Sequence, residues 1–382
     1  MKTKAPDFLA VRRAAPLLLA VAGSVLFWPS KMAAFGPVAA PGLAPAMFVA
    51  PALSTKPPTH EAAPEPQCFL FTNGSQELSG LSRKPDAYRP YFADCHPLPG
   101  PAQDQELIAL RSFTIKNETY YLLVQPESLE TQILKASCLA CQERHDETSP
   151  ETHPPTRSRY QSSLERYTAP PANGKRALEN EGLSQADSSV TGSFLTGDLC
   201  PSHKPLDRAF FEKLQHLDPE AHLGLAVSGY WIVSHRDEFN WLKERISRGL
   251  LKVTWVNHSY SHPYKEGIAY ASNFLLTPGV NLEREVLETE RVMIAGGVTP
   301  SIFFRAPGLV LNDEVIQYLK HLHLIPLGAE AWLAKGQKPK PGSVILVHVN
   351  GNEPLGLSIF DKLVNTQALP LPLLPLSAAP DK

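Results

Sequence analysis

The chain has 382 residues, 43% hydrophobic and 19% charged, and a formal net charge of −2 from 36 basic and 38 acidic side chains. That balance excludes wholesale disorder, and near-neutrality excludes the broad cationic footprint that a nucleic-acid partner requires. The 37 prolines cannot sit inside helices or central strands, which excludes a coiled coil or a multi-span membrane protein and puts the excess in linkers, turns and tails.

Residues 1–35 read as an export segment, directing the chain to the periplasm, the cell envelope or the medium. Lys2, Lys4, Arg12 and Arg13 form a positive start, and Ala14 to Trp28 an apolar stretch shorter than the ~20 residues of a membrane span. The alternative is an uncleaved anchor, the only membrane contact that the chain suggests. Residues 36–66 are rich in Ala and Pro and read as a semi-rigid linker. Residues 67–143 read as a small cysteine-containing module. Within it, Leu107–Ile115 and Thr119–Val124 are strands of a hairpin turning at Lys116, Asn117 and Glu118. Cys68, Cys95, Cys138 and Cys141 suggest two disulfides in an exported protein, with three connectivities open; half of a zinc site at Cys138 and Cys141 is the alternative. Residues 144–190, rich in Ser, Thr, Pro, Glu and Arg, read as a flexible linker.

From residue 191 the texture changes. Strand-like runs at 193–196, 223–227, 251–256, 302–304, 322–327 and 344–349 alternate with helical patterns beginning at Leu206, around Phe239 to Leu250, at 282–294 and at 313–319. This alternation predicts an α/β fold with a parallel sheet, open or closed into a barrel, whose chemistry sits after the strands' C-terminal ends. Polar clusters fall in those places. His258 and His262 are four residues apart, one turn if the segment is helical, and form a half-site for a divalent metal. Asp198 ends the first strand, in a position for a general base or merely a turn former. Arg305 follows the fourth strand and can clamp a carboxylate; His348 ends the sixth.

Taken in order, these residues resemble the polysaccharide deacetylase family, the NodB-type carbohydrate esterases, across 191–360. Members carry a T-F-D-D motif, then H-[ST]-x-x-H, R-x-P, a D-x-W-like motif and L-x-H. Thr196-Gly197-Asp198-Leu199 matches the first in part, and His258 to His262 matches the second. Arg305-Ala306-Pro307 matches the third, Glu330-Ala331-Trp332 is similar to the fourth with Glu for Asp, and Leu346-Val347-His348 matches the fifth. The resemblance implies a deformed (β/α) barrel of the NodB type over 191–366, preceded by the small β-containing module. It implies a metal-dependent hydrolase that removes N- or O-acetyl groups from a cell-envelope polysaccharide such as peptidoglycan or a chitin-like glycan. A divalent metal, zinc foremost, would rest on His258 and His262. Asp198 would be the general base, His348 the general acid, Arg305 the residue orienting Asp198, and Glu330 the support of His348.

Two departures stand out. The family's second aspartate, a metal ligand, falls at Leu199, which cannot coordinate. Either two histidines and waters hold the metal, or Asp198 moves into the ligand role; Cys200 is a substitute ligand or an inert buried thiol. The chain also carries a Pro-rich tail, 367–382, where the family has a helix and a last strand, leaving the barrel incomplete or closed by something else, the N-terminal module foremost. These departures motivate the alternative of a catalytically inactive, carbohydrate-binding envelope protein.

Overall fold

The computed structural model describes Cys68 and residues 84–98, 105–144, 157–172, 174, 176–187 and 189–380. The expected export segment, 1–35, and the expected linker, 36–66, lie outside the described residues. Among the described residues no helix is long and apolar enough to cross a membrane.

Five strands come first: β1 (Asp86–Pro97), β2 (Leu107–Ile115), β3 (Glu118–Val124), β4 (Thr131–Lys135) and β5 (Leu139–Glu143). They form an antiparallel sheet in the order β4-β3-β2-β1-β5. The β2–β3 hairpin turns on Lys116 and Asn117, whose φ values of 51° and 64° are the left-handed pair a two-residue hairpin uses. The disulfides are Cys68–Cys138 and Cys95–Cys141, the second joining residues that face each other across β1 and β5.

Helix α1 (Arg159–Thr168) leads into seven strands interleaved with six helices. These are β6 (Phe194–Leu199), α2 (Arg208–Leu217), β7 (His222–Val227), α3 (Gly229–Ser234), α4 (Arg236–Ser247), β8 (Lys252–Asn257) and α5 (Leu282–Ala295). Then come β9 (Phe303–Phe304), α6 (Asp313–His321), β10 (Ile325–Pro326), β11 (Ala331–Trp332), β12 (Val344–His348) and α7 (Pro354–Asn365). The seven strands are all parallel, in the order β10-β9-β8-β7-β6-β12-β11, a curled sheet that makes a deformed (β/α) barrel. Strand alternation divides the core. Phe194, Ala226, Val256, Ile325 and Val344 pack in one cluster, whereas Leu195, Leu199, Leu225 and Val347 pack with residues of α2, α3 and α4 in another. Asp207, Asn281 and Asn312 cap α2, α5 and α6 by accepting main-chain N–H bonds.

Two segments depart from the sequence expectation. Part of 144–190, expected to be a flexible linker, folds into the barrel. Tyr160 and Leu164 of α1 enter the core, and residues 178–187 run between β10 and the start of β12. Leu183 N–H donates to Pro326 O at 2.8 Å, and Val344 N–H donates to Ser184 O at 3.0 Å. Gly182 makes the approach possible: its φ is 96°, and a Cβ there would lie 2.2 Å from Pro326 O. This closure consists mostly of main-chain hydrogen bonds, so it needs few apolar side chains and leaves little trace in a polar-looking sequence. The Pro-rich tail, 367–382, is likewise no free end over its described part. Leu373 bridges Ser193 and accepts from His222 N–H at 3.1 Å, and Leu376 enters the core against Gly224, where a Cβ would clash at 2.4 Å. Residues Ile108, Leu110 and Val124 of the antiparallel sheet join that same cluster, so the two sheets share a core.

A fully buried ion pair fastens the sheets. Arg111 of β2 reaches Glu290 of α5 with Nε–Oε2 at 2.8 Å and Nη2–Oε1 at 3.1 Å, and it also donates to Leu322 O. Tyr88 donates to the same carboxylate at 2.9 Å. Arg111→Ala leaves a buried carboxylate uncompensated, so a loss of about 3–5 kcal/mol in denaturant unfolding is expected.

His323 provides a pH test. Its ring stacks on Phe92 at 3.7 Å, its main-chain O accepts from Tyr160, and burial, helped by Arg111, His321 and Arg144, pushes the imidazole down to about 3. In that range the unfolded chain takes up a proton that the folded one refuses. Stability present above about pH 6.5 is therefore lost as the pH falls toward 3, by at most ~1.4 kcal/mol per unit. His323→Asn, tolerated at its φ of 57°, should flatten that part of the stability–pH curve.

Candidate active site

In a parallel barrel the strand C-termini open on one mouth, so the last side chains of β6, β8, β9 and β12 collect there. Asp198 of β6 and His348 of β12 are register partners on adjacent strands. Arg305, directly after β9, is fully buried and reaches across to Asp198. Its Nη1 donates to Thr196 Oγ1 at 2.9 Å and Asp198 Oδ1 at 3.1 Å, and its Nη2 donates to Gly328 O at 3.0 Å. Burial by itself would raise the Asp198 carboxyl. The charge of Arg305, reinforced by His258, His348 and His262, outweighs it and holds the group below its ordinary value.

The two histidines of the pair meet, but not by a helical turn. Residues 258–262 form an irregular loop in which Ser259 and His262 adopt φ of 62° and 48°, conformations disfavoured for side chains of this size. The surrounding bonds hold it there. Glu285, in the first turn of α5, accepts from Tyr260 N–H at 3.0 Å, Ser261 N–H at 2.8 Å and Ser261 Oγ at 2.6 Å. Asn257 Oδ1 accepts from Ser259 N–H, and Ser259 Oγ from His262 N–H, each at 3.1 Å. The rings end 4.8 Å apart between centroids. His258 Nδ1 lies 2.8 Å from Arg305 O, a bond that places the proton on Nδ1 and leaves Nε2 with its lone pair. Burial depresses the His258 pKa and so favours the neutral ring.

Leu199 and Cys200 part ways at the end of β6. Leu199 is fully buried in the core on the helix side. Cys200 turns to the side of Asp198, with Sγ 3.4 Å from His258 Nε2. One ligand atom each from Cys200, His258 and His262 lies within 4.8 Å of the others. A thiol and two imidazoles so gathered fit a divalent metal of tetrahedral preference. Asp198 Oδ2 stands next to the group, 3.7 Å from His258 Nε2. Burial opposes a thiolate, yet the imidazoles of His262 and His348 prevail and bring Cys200 down to about 7.

Glu330 is not the carboxylate beside His348. It pairs instead with Lys340 Nζ at 2.9 Å. The carboxylate 2.7 Å from His348 Nδ1 belongs to Glu353, the N-cap residue of α7, which also accepts from Trp332 Nε1 at 2.7 Å. The reason is one of direction: β11 carries Trp332 toward His348, ring centroids 6.0 Å apart, whereas Glu330 precedes that strand. Burial would lower the His348 pKa, but the Cys200 sulfur and the Glu353 carboxylate raise it well above the ordinary imidazole value. Glu285 and Glu353 were both missed from sequence, because no local spacing ties them to the histidines they serve. For Cys200 a signal existed: the period of two puts residues 198 and 200 on one side and 199 on the other.

A family model described as the RP012 protein N-terminal domain matches residues 88–150. Among solved structures, a family 4 carbohydrate esterase from Bacillus anthracis is 16% identical, with 61% of this chain and 97% of that chain covered, at a TM-score of 0.39. Bacillus subtilis PdaA, a family 4 carbohydrate esterase, is 16% identical over 59% of this chain and 91% of its own, at 0.38. BA3943, a CE4 family pseudoenzyme from Bacillus anthracis, is 12% identical over 76% and 91%, at 0.37. The chain is thus similar to family 4 carbohydrate esterases and to a pseudoenzyme among them.

The Glu285 clamp is directly testable. Glu285→Ala strands three donors and is expected to lower stability by about 1–3 kcal/mol in urea unfolding. Glu285→Gln, which keeps an accepting oxygen, should recover a good part of that loss.

Proposed function

We propose that the protein is an exported, metal-dependent hydrolase that removes acetyl groups from an acetylated cell-envelope polysaccharide. The observation that carries this reading is the meeting of Asp198, His258, His262, Arg305 and His348, brought from separate strand ends to one barrel mouth. A divalent metal, zinc foremost, held by His258 and His262 would polarise the acyl carbonyl and acidify a water.

The remaining roles follow from the side chains themselves. Asp198, kept ionised by Arg305 and with Oδ2 turned to the histidine side, takes the proton of the attacking water as general base. Arg305 donates to Thr196 and Gly328 as well as to Asp198, so it fixes the direction of the carboxylate. His348 retains a proton beside Glu353 and delivers it to the departing sugar nitrogen or oxygen as general acid. Aromatic rings suit the apolar faces of a sugar. Phe274 links His262 to the exposed Tyr264 and Tyr270, with centroid separations of 6.2, 5.3 and 5.5 Å. On the Trp332 side, Leu309 and Ala329 help line a cavity of about 280 Å³. Two disulfides suit an oxidising compartment outside the cytoplasm, in keeping with the export segment.

The full chain loaded with zinc should release acetate from acetylated peptidoglycan fragments or chitin oligomers. Asp198→Asn and His348→Ala should each lower kcat by about 10²–10⁴-fold, the usual share of a general base or acid. Glycan binding without acetate release from any of these substrates would overturn the hydrolase and favour the inactive carbohydrate-binding alternative, which Leu199 motivates.

A further inference from the structure

We infer that Cys200 is the third, anionic ligand of the metal held by His258 and His262, so that the centre is a thiolate–bis-imidazole site selective for zinc and other thiophilic ions over hard cations. This rests on the metal-dependent reading above and extends it to the ligand set and to metal choice.

The position next to Asp198 offers no donor, since Leu199 is fully buried in the core on the helix side of β6. The following residue restores an anion from the other side of the strand. Tetrahedral zinc with Zn–S of about 2.3 Å and Zn–N of about 2.0–2.1 Å places sulfur and nitrogen about 3.5 Å apart. Cys200 Sγ and His258 Nε2 are separated by 3.4 Å, and the His262 donor falls inside the same 4.8 Å group. The geometry is prepared without any ion. Leu199 O accepts from Ser228 Oγ at 3.1 Å, and Cys200 O accepts from the buried Asn350 Nδ2 at 2.8 Å, so the main chain is held on both sides of the thiol. His258 is held by Arg305 O through Nδ1, which leaves its lone pair on the sulfur side. The other four cysteines are tied in disulfides, leaving Cys200 as the reduced, buried one. Cys200 and His258 are buried while His262 is only partly so, which leaves one flank for water and substrate. Soft sulfur favours zinc and cobalt, whereas magnesium, calcium and manganese prefer oxygen.

The test uses the full chain, stripped of metal, and needs no substrate. Titration with Co²⁺ should give one equivalent bound, a tetrahedral visible spectrum and a near-ultraviolet sulfur-to-cobalt charge-transfer band. Cys200→Ser and Cys200→Ala should abolish the charge-transfer band and weaken Zn²⁺ binding by at least 10–100-fold, roughly the loss seen even for outer partners of a metal site. Cys200→Asp should keep binding without the band and shift preference toward Mn²⁺. Circular dichroism of the metal-free variants serves as the control for folding. A charge-transfer band that survives in folded Cys200→Ser, unchanged Zn²⁺ affinity in folded Cys200→Ala, or no metal uptake by the unaltered protein would each overturn the inference. Absence of acetate release with the cobalt signature intact would sink the hydrolase and leave the ligand assignment standing.

Discussion

The barrel mouth depends on one guanidinium that has no access to water. A buried Arg305 is tolerable only if its charge is met inside the protein, and the way its two Nη groups are met organises everything around it. Its side chain binds Thr196 and Asp198 of β6 and the main chain of Gly328 after β10. Its own main chain donates to Asn257 O at the end of β8 and accepts from the ring of His258. The same residue therefore keeps the Asp198 carboxylate charged, sets the tautomer of the His258 imidazole, and pins three strand ends to one another. Loss of that charge would reach Asp198 and the 258–262 loop together.

Around this centre one buried carboxylate holds a loop whose local conformation is unfavourable. The 258–262 loop would not hold two left-handed residues by its own preferences; Glu285 supplies the acceptors that make it stay. Elsewhere carboxylates meet charge: the partly buried Glu353 faces the His348 ring, and the buried Glu290 pairs with Arg111 at the joint between the sheets. Glu285 and Glu290 arrive from a helix far along the chain from the groups they serve, whereas Glu353 sits at the helix start just after the strand that carries His348.

In the centre proposed above, a thiolate at residue 200 would supply the negative charge that Leu199 cannot, with a softer donor than a carboxylate. The strand pleat explains why the exchange needs a shift in position. Residue 199 is committed to the core behind the sheet, and residue 200 is the next to face the histidines. Asp198 is thereby left beside the centre as a neighbour, with its Oδ1 occupied by Arg305.

The alternation of apolar runs with helical patterns determined the parallel α/β architecture, because strand and helix periods are local properties; β6, β7, β8, β12, α4 and α5 stand close to where the pattern puts them. Asp198, His258, His262, Arg305 and His348 stood out through their ordered resemblance to the deacetylase motifs rather than through any single strand end, and the fold brings them to one barrel mouth. Closure of the barrel by 178–187, docking of the tail, the substitution of Glu353 for Glu330 and the service of Glu285 to the histidine loop were decided only in three dimensions. Main-chain hydrogen bonds carry no side-chain signature, and a carboxylate's partner is set by where two distant elements meet, which no spacing along the chain records.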